Sequence, residues 1–330
     1  MLFEDENEKE KTMKAAIVTG PNQIPVYGDF KEPTVQAGYE LITVTAAALS
    51  NLTKSRASGE HYSSSGAFPL VVGVDGVGRT AGGRRVYFAL PLAPFGAMAE
   101  KVLVAAENCF PVPEGVDDVT VAGIANPGMS SMGALMKRAA FKAGETVLIN
   151  GATGSAGQLA VQIAKYLGAE KVIATGRDAA TLQKIKNEGA DVTIPLGDSG
   201  DSFEEALKEQ FSQGIDVVLD YLWGASAERM MAAGAKAGKE GVPIRFVQIG
   251  SMSAPTITLP SAALRSSSIT LMGSGISSIP LKELLSSAND AIQAVIPGKL
   301  KIETTAVPLA DVEKSWNANF GKSRVVFVVK

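Results

Sequence analysis

Short strand patterns dominate the first third of the chain. Segments rich in Val, Ile, Thr and Ala alternate with clusters of Gly and Pro, and a helical pattern appears only briefly after Asn51. Such segments, bounded by turn residues, are typical of short antiparallel strands. We therefore expect a mostly antiparallel β domain here. Its predicted strands cover residues 14–18, 39–49, 76–80, 84–90 and 99–104.

The pattern changes near residue 117, where near-continuous apolar strands begin to alternate with helices. This alternation predicts a parallel sheet covered by helices on both faces. Six such strands suit a complete doubly wound α/β sheet of the Rossmann type. The predicted strands are residues 146–150, 171–175, 191–194, 216–220, 245–250 and 268–273. The predicted helices are residues 117–124, 128–141, 154–167, 178–187, 202–211 and 225–237.

The last part of the chain has too little core to fold alone, so we expect it to return to the β domain. Its predicted elements are a helix over 281–295, a strand over 301–307, a helix over 309–319 and a strand over 323–329. The predicted organisation is a disordered acidic tail (1–12), the first part of the β domain (13–123), the doubly wound domain (124–274) and the return to the β domain (275–330).

The formal charge of −3 is concentrated at the N-terminus. Residues 1–12 carry five acidic and two basic side chains, which give −3 and leave the rest of the chain net neutral. A neutral body without basic runs has no electrostatic footprint for nucleic acid or for an anionic membrane surface. No apolar run approaches the roughly 18 residues of a membrane span. Neither nucleic acid nor a membrane is therefore an expected partner.

The chain contains one cysteine, Cys109, and one histidine, His61. A catalytic zinc site needs about three protein ligands, mostly cysteine and histidine, so we expect no metal site. A single cysteine forbids an intramolecular disulfide and suits a reducing compartment, which predicts a cytoplasmic protein. Cys109 lies in a strand-like segment, and we interpret it as a buried, inert thiol.

A glycine-rich turn separates the first strand of the predicted sheet from its helix. It matches the dinucleotide-binding fingerprint GxGxxG, except that Ala152 stands in place of the first Gly. Gly154 would let backbone N–H groups approach a pyrophosphate, and Gly157 would let the helix pack closely. This context predicts a dinucleotide site. Its candidate residues are Ala152, Thr153, Gly154, Ser155, Ala156 and Gly157.

The end of the second strand indicates which dinucleotide binds. Proteins that bind NAD usually end this strand with an acid that accepts a hydrogen bond from the ribose 2′-hydroxyl. Here Gly176 and Arg177 follow the strand, and an arginine can pair with a 2′-phosphate through a charged, bidentate contact. We therefore predict NADPH as the coenzyme. In the alternative, Asp178 would be the ribose acid, but it falls late and is placed to cap the next helix.

Five segments together resemble the medium-chain dehydrogenase/reductase superfamily. They are residues 13–16, 73–78, 144–149, 216–220 and 249–251. The zinc alcohol dehydrogenases of this superfamily carry a cysteine where this chain has Ser50 and Asn51, and Gly-His-Glu where it has residues 73–75. The chain is therefore more similar to the zinc-free quinone oxidoreductase branch. That resemblance implies a GroES-like catalytic domain beside the Rossmann domain, and a homodimer joined by edge strands near residues 268–273.

The resemblance also implies roles for individual residues. Asn51 would hold the acceptor oxygen or the ribose, its alternative role being the N-cap of the next helix. Tyr62 would donate a proton or only line the rim, with His61 as the competing donor. Met132 replaces an aromatic residue common in the branch, so we expect a different substrate pocket. The added coenzyme contacts are Ser130 beside the nicotinamide, Arg324 on the phosphates, and Ile249, Gly250 and Ser274.

These features predict an NADPH-dependent, zinc-independent oxidoreductase that transfers a hydride to a quinone or a similar activated carbonyl, in a cleft between the domains. Without a Lewis acid, the enzyme would work mainly by positioning the acceptor against the nicotinamide. The first alternative is a 2-enal, enone or enoyl-thioester reductase of the same superfamily. The second belongs to another class, an NADPH-binding redox sensor or partner-binding protein without significant turnover.

Overall fold

The computed structural model describes residues 11–59, 67–197 and 201–330, and the chain divides into two units. The first unit comprises the chain up to Gly123 together with Glu303–Lys330, and the second comprises Ile124–Ile302. None of the helices in the described ranges is long and apolar enough to cross a membrane.

Strands and helices are numbered in chain order. The strands are β1 (Thr12–Val18), β2 (Val26–Lys31), β3 (Tyr39–Ala48), β4 (Leu70–Val71), β5 (Asp75–Thr80), β6 (Arg85–Ala89), β7 (Lys101–Ala105), β8 (Cys109–Pro111), β9 (Thr146–Asn150), β10 (Lys171–Gly176), β11 (Val192–Pro195), β12 (Val217–Asp220), β13 (Ile244–Gln248), β14 (Ile269–Gly273), β15 (Thr304–Pro308) and β16 (Arg324–Val328). The α-helices are α1 (Asn51–Ala57), α2 (Asp118–Met132), α3 (Ser155–Tyr166), α4 (Ala179–Asn187), α5 (Asp201–Gln213), α6 (Gly224–Ala237), α7 (Ser261–Arg265), α8 (Leu281–Gln293) and α9 (Val312–Ser315).

The first unit is built from two sheets. In the smaller sheet β1 lies between β2 and β4 and is antiparallel to both. The larger sheet has the order β15-β16-β3-β5-β6-β8, with β7 also paired to β3. Its pairs are antiparallel except for β15 with β16. Apolar side chains such as Phe88, Val102 and Phe327 are fully buried in its core. The predicted antiparallel β domain is confirmed.

The second unit contains a six-stranded sheet of order β11-β10-β9-β12-β13-β14. All neighbouring strands are parallel, and Leu148, Val218 and Phe246 are among its fully buried core residues. The predicted doubly wound sheet is therefore confirmed. From β9 the chain passes to β10 and β11 on one side and then crosses back to β12 on the other side of β9. Ligands of such sheets bind beyond the carboxyl ends of the strands at this switch point.

One predicted helix break is wrong. The sequence predicts two helices separated near Pro127, whereas α2 runs through this residue. Proline removes one helical hydrogen bond, but Val121 and Ile124 are fully buried in the same helix, and packing overrides local propensity. The hydroxyl groups of Ser130 and Ser131 both donate to the Pro127 carbonyl, at 2.7 and 3.2 Å. A π-helical turn over Gly133–Arg138 follows.

The return to the first unit comes later than the sequence indicates, after Ile302 instead of after residue 274. The reason is that α8 packs within the second unit. A Cβ atom added to Gly128 of α2 would lie 2.6 Å from the Ala291 side chain of α8. The amphipathic pattern of α8 indicates one buried face, but not which unit covers it. Two further differences are smaller: α7 was not expected, and the helix predicted over 309–319 is a 3-10 turn followed by the short α9.

Candidate active site

The turn after β9 begins with Gly151. Its φ of 90° lies in the left-handed region, which glycine adopts without steric cost. Ala152 is buried and donates its N–H to the carbonyl of Thr175 in β10 at 2.8 Å. Because Gly151 already supplies the sharp turn, alanine is tolerated where the fingerprint has its first glycine.

Gly157 is tightly packed, whereas Gly154 faces open space. A Cβ atom on Gly157 would lie 2.3 Å from the Gly151 carbonyl oxygen and 2.6 Å from Cα of Ala152, so α3 packs directly on the backbone of the turn. A Cβ atom on Gly154 would meet only the Gly151 oxygen, at 3.6 Å. The space in front of Gly154 is therefore open, as a close approach of a ligand to this backbone requires.

Helix α3 begins at this open space without a side-chain cap. Its N-cap residue is Gly154, which has no side chain to cap the first turn of Ser155, Ala156 and Gly157. The first N–H groups of a helix lack intrahelical partners and carry partial positive charge. The carboxyl end of β9 thus presents a surface suited to an anion such as a pyrophosphate.

The next strand, β10, ends in a buried glycine, Gly176, followed by the exposed Arg177. Within the described part of the chain Arg177 forms no ion pair. Asp178 is the N-cap of α4, and its Oδ1 accepts the N–H of Thr181 at 2.8 Å. The carboxylate of Asp178 is thus engaged in capping, as expected, and the end of β10 itself carries no acid.

A buried polar network joins the carboxyl ends of β10, β9 and β12. The hydroxyl of Thr175 donates to Oδ1 of Asn150 at 2.9 Å. Nδ2 of Asn150 donates to Oδ1 of Asp220 at 2.8 Å and to Oγ of Ser226 at 2.9 Å. The sequence interpretation missed this network. Its signal is a polar residue at or near the end of each apolar strand.

Asp220 also shapes the turn after β12. Its Oδ1 accepts the N–H groups of Leu222 and Trp223 at 3.0 and 3.1 Å. Trp223 has a φ of 61°, which is strained for a bulky residue and needs support from its surroundings. Burial raises the pKa of Asp220, while these hydrogen bonds oppose that rise. The carboxylate therefore holds the turn beside Gly151, whose added Cβ would touch Leu222 at 2.8 Å.

Ser130 lies near the end of α2. Its hydroxyl hydrogen is donated to Pro127, so towards a ligand it can only accept. The neighbouring Ser131 is hydrogen-bonded to the Tyr221 hydroxyl at 2.9 Å. Burial raises the pKa of Tyr221 to about 12, and its hydrogen bonding with Ser131 and Ser130 opposes that rise. Tyr221 thus stays neutral near pH 7. Met132, the next residue along α2, is buried.

Ile249, Gly250 and Ser274 follow β13 and β14 at the same edge of the sheet. The N–H groups of Ile249 and Gly250 both donate to the Asp220 carbonyl, at 2.8 and 3.2 Å. Ser274 donates its N–H to the Gln248 carbonyl at 2.8 Å. Their backbone donors are therefore used within the sheet edge. The structure brings these predicted residues together with the glycine turn in one unit.

The first unit contains Asn51 and Arg324. Ser50, and not Asn51, caps α1: its hydroxyl oxygen accepts the N–H of Thr53 at 3.0 Å. The alternative role of Asn51 as the N-cap is thus wrong, because the helix starts one residue earlier than that role requires. Leu49 donates its N–H to the Val325 carbonyl at 2.9 Å, which places the start of α1 beside the start of β16 and Arg324.

Arg324 belongs to a buried cluster with Asp75 and Tyr87. The Tyr87 hydroxyl donates to Oδ2 of Asp75 at 3.1 Å. Within the described residues, Oδ1 of Asp75 and the Nε and Nη2 atoms of Arg324 are buried without a hydrogen-bond partner. The charges of Arg324 and Asp75 interact, and buried polar atoms without a hydrogen bond are uncommon in native proteins. The sequence interpretation included Asp75 in a family-like segment but gave it no role.

Burial raises the pKa of Asp75 to about 6, opposed by the charge of Arg324 and the hydrogen bond from Tyr87. An unfolded aspartate titrates near 3.9, so between about pH 4 and pH 6 the folded chain binds more protons at this site than the unfolded chain. The contribution of Asp75 to the free energy of unfolding should therefore fall by about 2–3 kcal/mol as the pH rises through this window.

Urea unfolding of the wild type and of Asp75→Asn from pH 4.5 to pH 7.5 checks this expectation. The stability of the wild type relative to the variant should decrease as the pH rises, because only the wild type carries the titrating carboxyl. A difference that does not change with pH would show that Asp75 titrates at an ordinary pKa.

Tyr62 and His61 lie outside the described residues, so their predicted roles remain predictions. Cys109 is partly buried, and its thiol lies 3.6 Å from the Ala105 carbonyl. Burial raises the pKa of Cys109 to about 11, so the thiolate is scarce near pH 7, which agrees with the expected inert thiol. Among residues 11–59, 67–197 and 201–330, no group of three or more His, Cys, Asp or Glu side chains is placed to hold a metal ion.

Proteins similar to this chain include reductases. A family profile described as "Zinc-binding dehydrogenase" matches residues 156–293, a range that contains neither cysteine nor histidine. The "Probable NADPH-dependent quinone reductase tdiC" of Emericella nidulans is 28% identical over 359 aligned residues, covering 96% of this chain and 100% of that protein. The "2-haloacrylate reductase" of a Burkholderia species is 31% identical over 58% of this chain and 63% of its own length.

Solved structures share the fold. The quinone oxidoreductase from Thermus thermophilus, solved alone and with NADPH, has a TM-score of 0.78 and 24% identity and covers 96% of this chain and 100% of that one. A doubly wound sheet with a glycine turn and an antiparallel β unit is the fold of the medium-chain dehydrogenase/reductases. The chain shares this fold and is similar to a quinone reductase along its whole length, which supports an oxidoreductase of the quinone oxidoreductase branch. These similarities agree with the predicted family and enzyme class.

Proposed function

We propose that the protein transfers a hydride from NADPH to a quinone or a similar activated carbonyl without a catalytic metal. The observation that carries this proposal is the carboxyl edge of β9 and β10. It combines open space at Gly154, a helix without a side-chain cap, and Arg177 beside a strand end that carries no acid. The names of the E. nidulans relative and of the T. thermophilus structure, which mention quinone and NADPH, support it.

The residues present fit this coenzyme. The pyrophosphate would bind to the N-terminal N–H groups of α3, and Arg177 would pair with the 2′-phosphate. Arg324, whose Nε and Nη2 groups have no hydrogen-bond partner among the described residues, would contact the coenzyme phosphates as the family resemblance implies. Ser130, which can only accept, would take a hydrogen bond from the nicotinamide amide group. Ile249, Gly250 and Ser274 would line the same edge.

Bound NADPH would supply a hydride, and the acceptor would then take up one proton to complete its two-electron reduction. Asn51 would donate from its amide group to the acceptor oxygen, a role compatible with Ser50 serving as the helix cap. Tyr62, or His61, would deliver the proton, with water as a further source. The protein would thus act mainly by positioning the acceptor.

A screen that follows NADPH oxidation with quinones, enones and enoyl-thioesters tests the proposal. We expect turnover above roughly 1 s⁻¹ with at least one quinone, unchanged by EDTA because His61 and Cys109 are the only imidazole and thiol ligands in the chain. Activity confined to enones or enoyl-thioesters would support the second candidate, which the 2-haloacrylate reductase relative favours. Tight NADPH binding without turnover on any acceptor would support a sensor.

We expect the wild type to bind NADPH at least about tenfold more tightly than NADH, because one charge-assisted contact is worth roughly 1.5–3 kcal/mol. Arg177→Ala should remove most of this preference by weakening NADPH binding and leaving NADH binding nearly unchanged. Titration of each coenzyme measures the two Kd values. Arg265→Ala is the matched control, since Arg265 is an exposed arginine of the same unit on α7. Equal affinities in the wild type would contradict the assignment of NADPH.

We also propose a homodimer formed through β14. This strand is an edge of the six-stranded sheet, and its Leu271 side chain is 38% exposed. An exposed apolar edge strand readily pairs with a second copy. Sedimentation should show a dimer for the wild type and a monomer for Leu271→Asp. A monomeric wild type at micromolar concentration would contradict this proposal.

A further inference from the structure

Thr153 of the glycine turn lies directly against Gly176 at the end of β10. A Cβ atom added to Gly176 would lie 2.2 Å from Cγ2, 2.8 Å from Oγ1 and 3.0 Å from Cβ of Thr153. Cβ atoms essentially never approach other heavy atoms closer than 3.0 Å. As long as residue 153 is threonine, position 176 therefore has no room for any side chain.

Rotation of the threonine does not relieve this conflict. Its Cβ carries two heavy substituents, and two of the three staggered positions face Gly176, as the short distances of both Cγ2 and Oγ1 show. Turning χ1 by one step moves the three substituents round together, so one of the two positions that face Gly176 takes the hydrogen and the other keeps a heavy atom. Only a smaller residue at position 153 opens the space.

We propose that Thr153 is a specificity-determining residue for the coenzyme. The last residue of the second strand is where an acid reads the unmodified ribose of NAD. Thr153 prevents any acid from occupying this place, and Asp178 is engaged as the cap of α4. Arg177 would attract the 2′-phosphate of NADPH. Thr153 keeps position 176 free of the acid that would bind the free 2′-hydroxyl of NADH. This inference rests on the proposed use of NADPH.

Attraction of the 2′-phosphate by Arg177 and exclusion of an acid by Thr153 contribute separately to the preference for NADPH over NADH. Loss of Arg177 weakens NADPH binding but creates no contact for the free 2′-hydroxyl. Adding an acid at position 176 would create that contact, provided that Thr153 is first made smaller. Reversal of the preference is therefore expected to need two substitutions, at positions 153 and 176, that act together.

Four variants test this coupling: Gly176→Asp, Thr153→Ala, Thr153→Ala with Gly176→Asp, and Thr153→Val with Gly176→Asp. Valine has nearly the volume of threonine, so the last variant retains the obstruction and serves as the matched control. Thr153→Gly with Gly176→Asp is a second test, because it also removes the Cβ atom at 3.0 Å. Thermal unfolding and Kd values for NADPH and NADH are measured for each protein.

Gly176→Asp alone should lower Tm by at least about 5 °C, because the added side chain overpacks the turn, and should bind both coenzymes poorly. Combination with Thr153→Ala or Thr153→Gly should restore Tm and favour NADH over NADPH by about tenfold, whereas combination with Thr153→Val should restore neither. Thr153→Ala alone should not favour NADH over NADPH, because it adds no acid for the free 2′-hydroxyl.

A stable Gly176→Asp protein that binds NADH well on its own would overturn the inference. So would equal behaviour of the alanine and valine double variants. Failure of the proposed function would look different: the wild type would bind neither coenzyme, while the Tm pattern would still report on the contact between positions 153 and 176.

Discussion

Gly154→Val is expected to weaken NADPH binding by at least about a hundredfold, or about 2.8 kcal/mol, while the protein stays folded. The φ of Gly154 is −81°, which valine adopts without strain. The first atom of the new side chain would meet only the Gly151 oxygen, at 3.6 Å. The branched side chain would instead fill the open space that the pyrophosphate needs. Calorimetric titration with NADPH and a thermal unfolding scan measure the two effects.

Gly157→Ala is the matched variant in the same turn. Its added methyl group would lie 2.3 Å from the Gly151 oxygen and 2.6 Å from Cα of Ala152, and backbone cannot yield as a side chain can. We therefore expect this smaller substitution to destabilise the protein by at least about 1–3 kcal/mol. If Gly154→Val lowered Tm as much as Gly157→Ala does, or bound NADPH like the wild type, the assignment of the open space to the pyrophosphate would be wrong.

Asp220→Ala is expected to lower the free energy of unfolding by about 3–5 kcal/mol, because it leaves several buried donors unpaired. The carboxylate accepts from Nδ2 of Asn150 and from the N–H groups of Leu222 and Trp223. It also supports the positive φ of Trp223, so the turn after β12 should change its conformation. Urea unfolding gives the stability, and the fluorescence of Trp223 reports on the turn.

Asp216→Ala provides the control on the same strand. Asp216 immediately precedes β12, and its Oδ2 accepts one backbone N–H, that of Thr146, at 2.8 Å. Its loss should cost only about 1 kcal/mol. Asp220→Asn, which keeps an acceptor oxygen, should fall between the two alanine variants. An equal cost for Asp216→Ala and Asp220→Ala would refute the idea that Asp220 organises the end of the sheet.

The sequence predicts the fold well where local pattern and packing agree. The apolar strands of the second unit are near-continuous because both faces are buried, and each appears within a few residues of its predicted position. Pro127 shows the limit of predicting helix ends from local sequence, because a buried helix tolerates the loss of the hydrogen bond that proline removes. The position of α8 shows another, because an amphipathic face does not identify the surface that covers it.

Some features of the candidate site can likewise be predicted from the sequence, and others cannot. The glycine turn and Arg177 are visible in the sequence because their chemistry is local. The contact between Thr153 and Gly176 is invisible there, since it joins two segments through a distance of closest approach. The cluster of Asp75, Tyr87 and Arg324 likewise joins the consecutive strands β5 and β6 to β16, which lies far from them in the chain. Pairings of this kind are a property of the tertiary structure and leave no periodic signal.

The position of β16 has a consequence for how the protein is made. This strand lies between β15 and β3 in the larger sheet of the first unit, and it is translated after the whole second unit. On the ribosome, Ile124–Ile302 can complete its own sheet while Ala46–Ala48, the part of the β3 edge that later pairs with β16, still lacks its partner. The first unit must keep that edge from pairing with other chains until residues 324–328 emerge. If translation stopped before these residues, the released chain would carry a complete second unit and a larger sheet without β15 and β16, which is prone to aggregate.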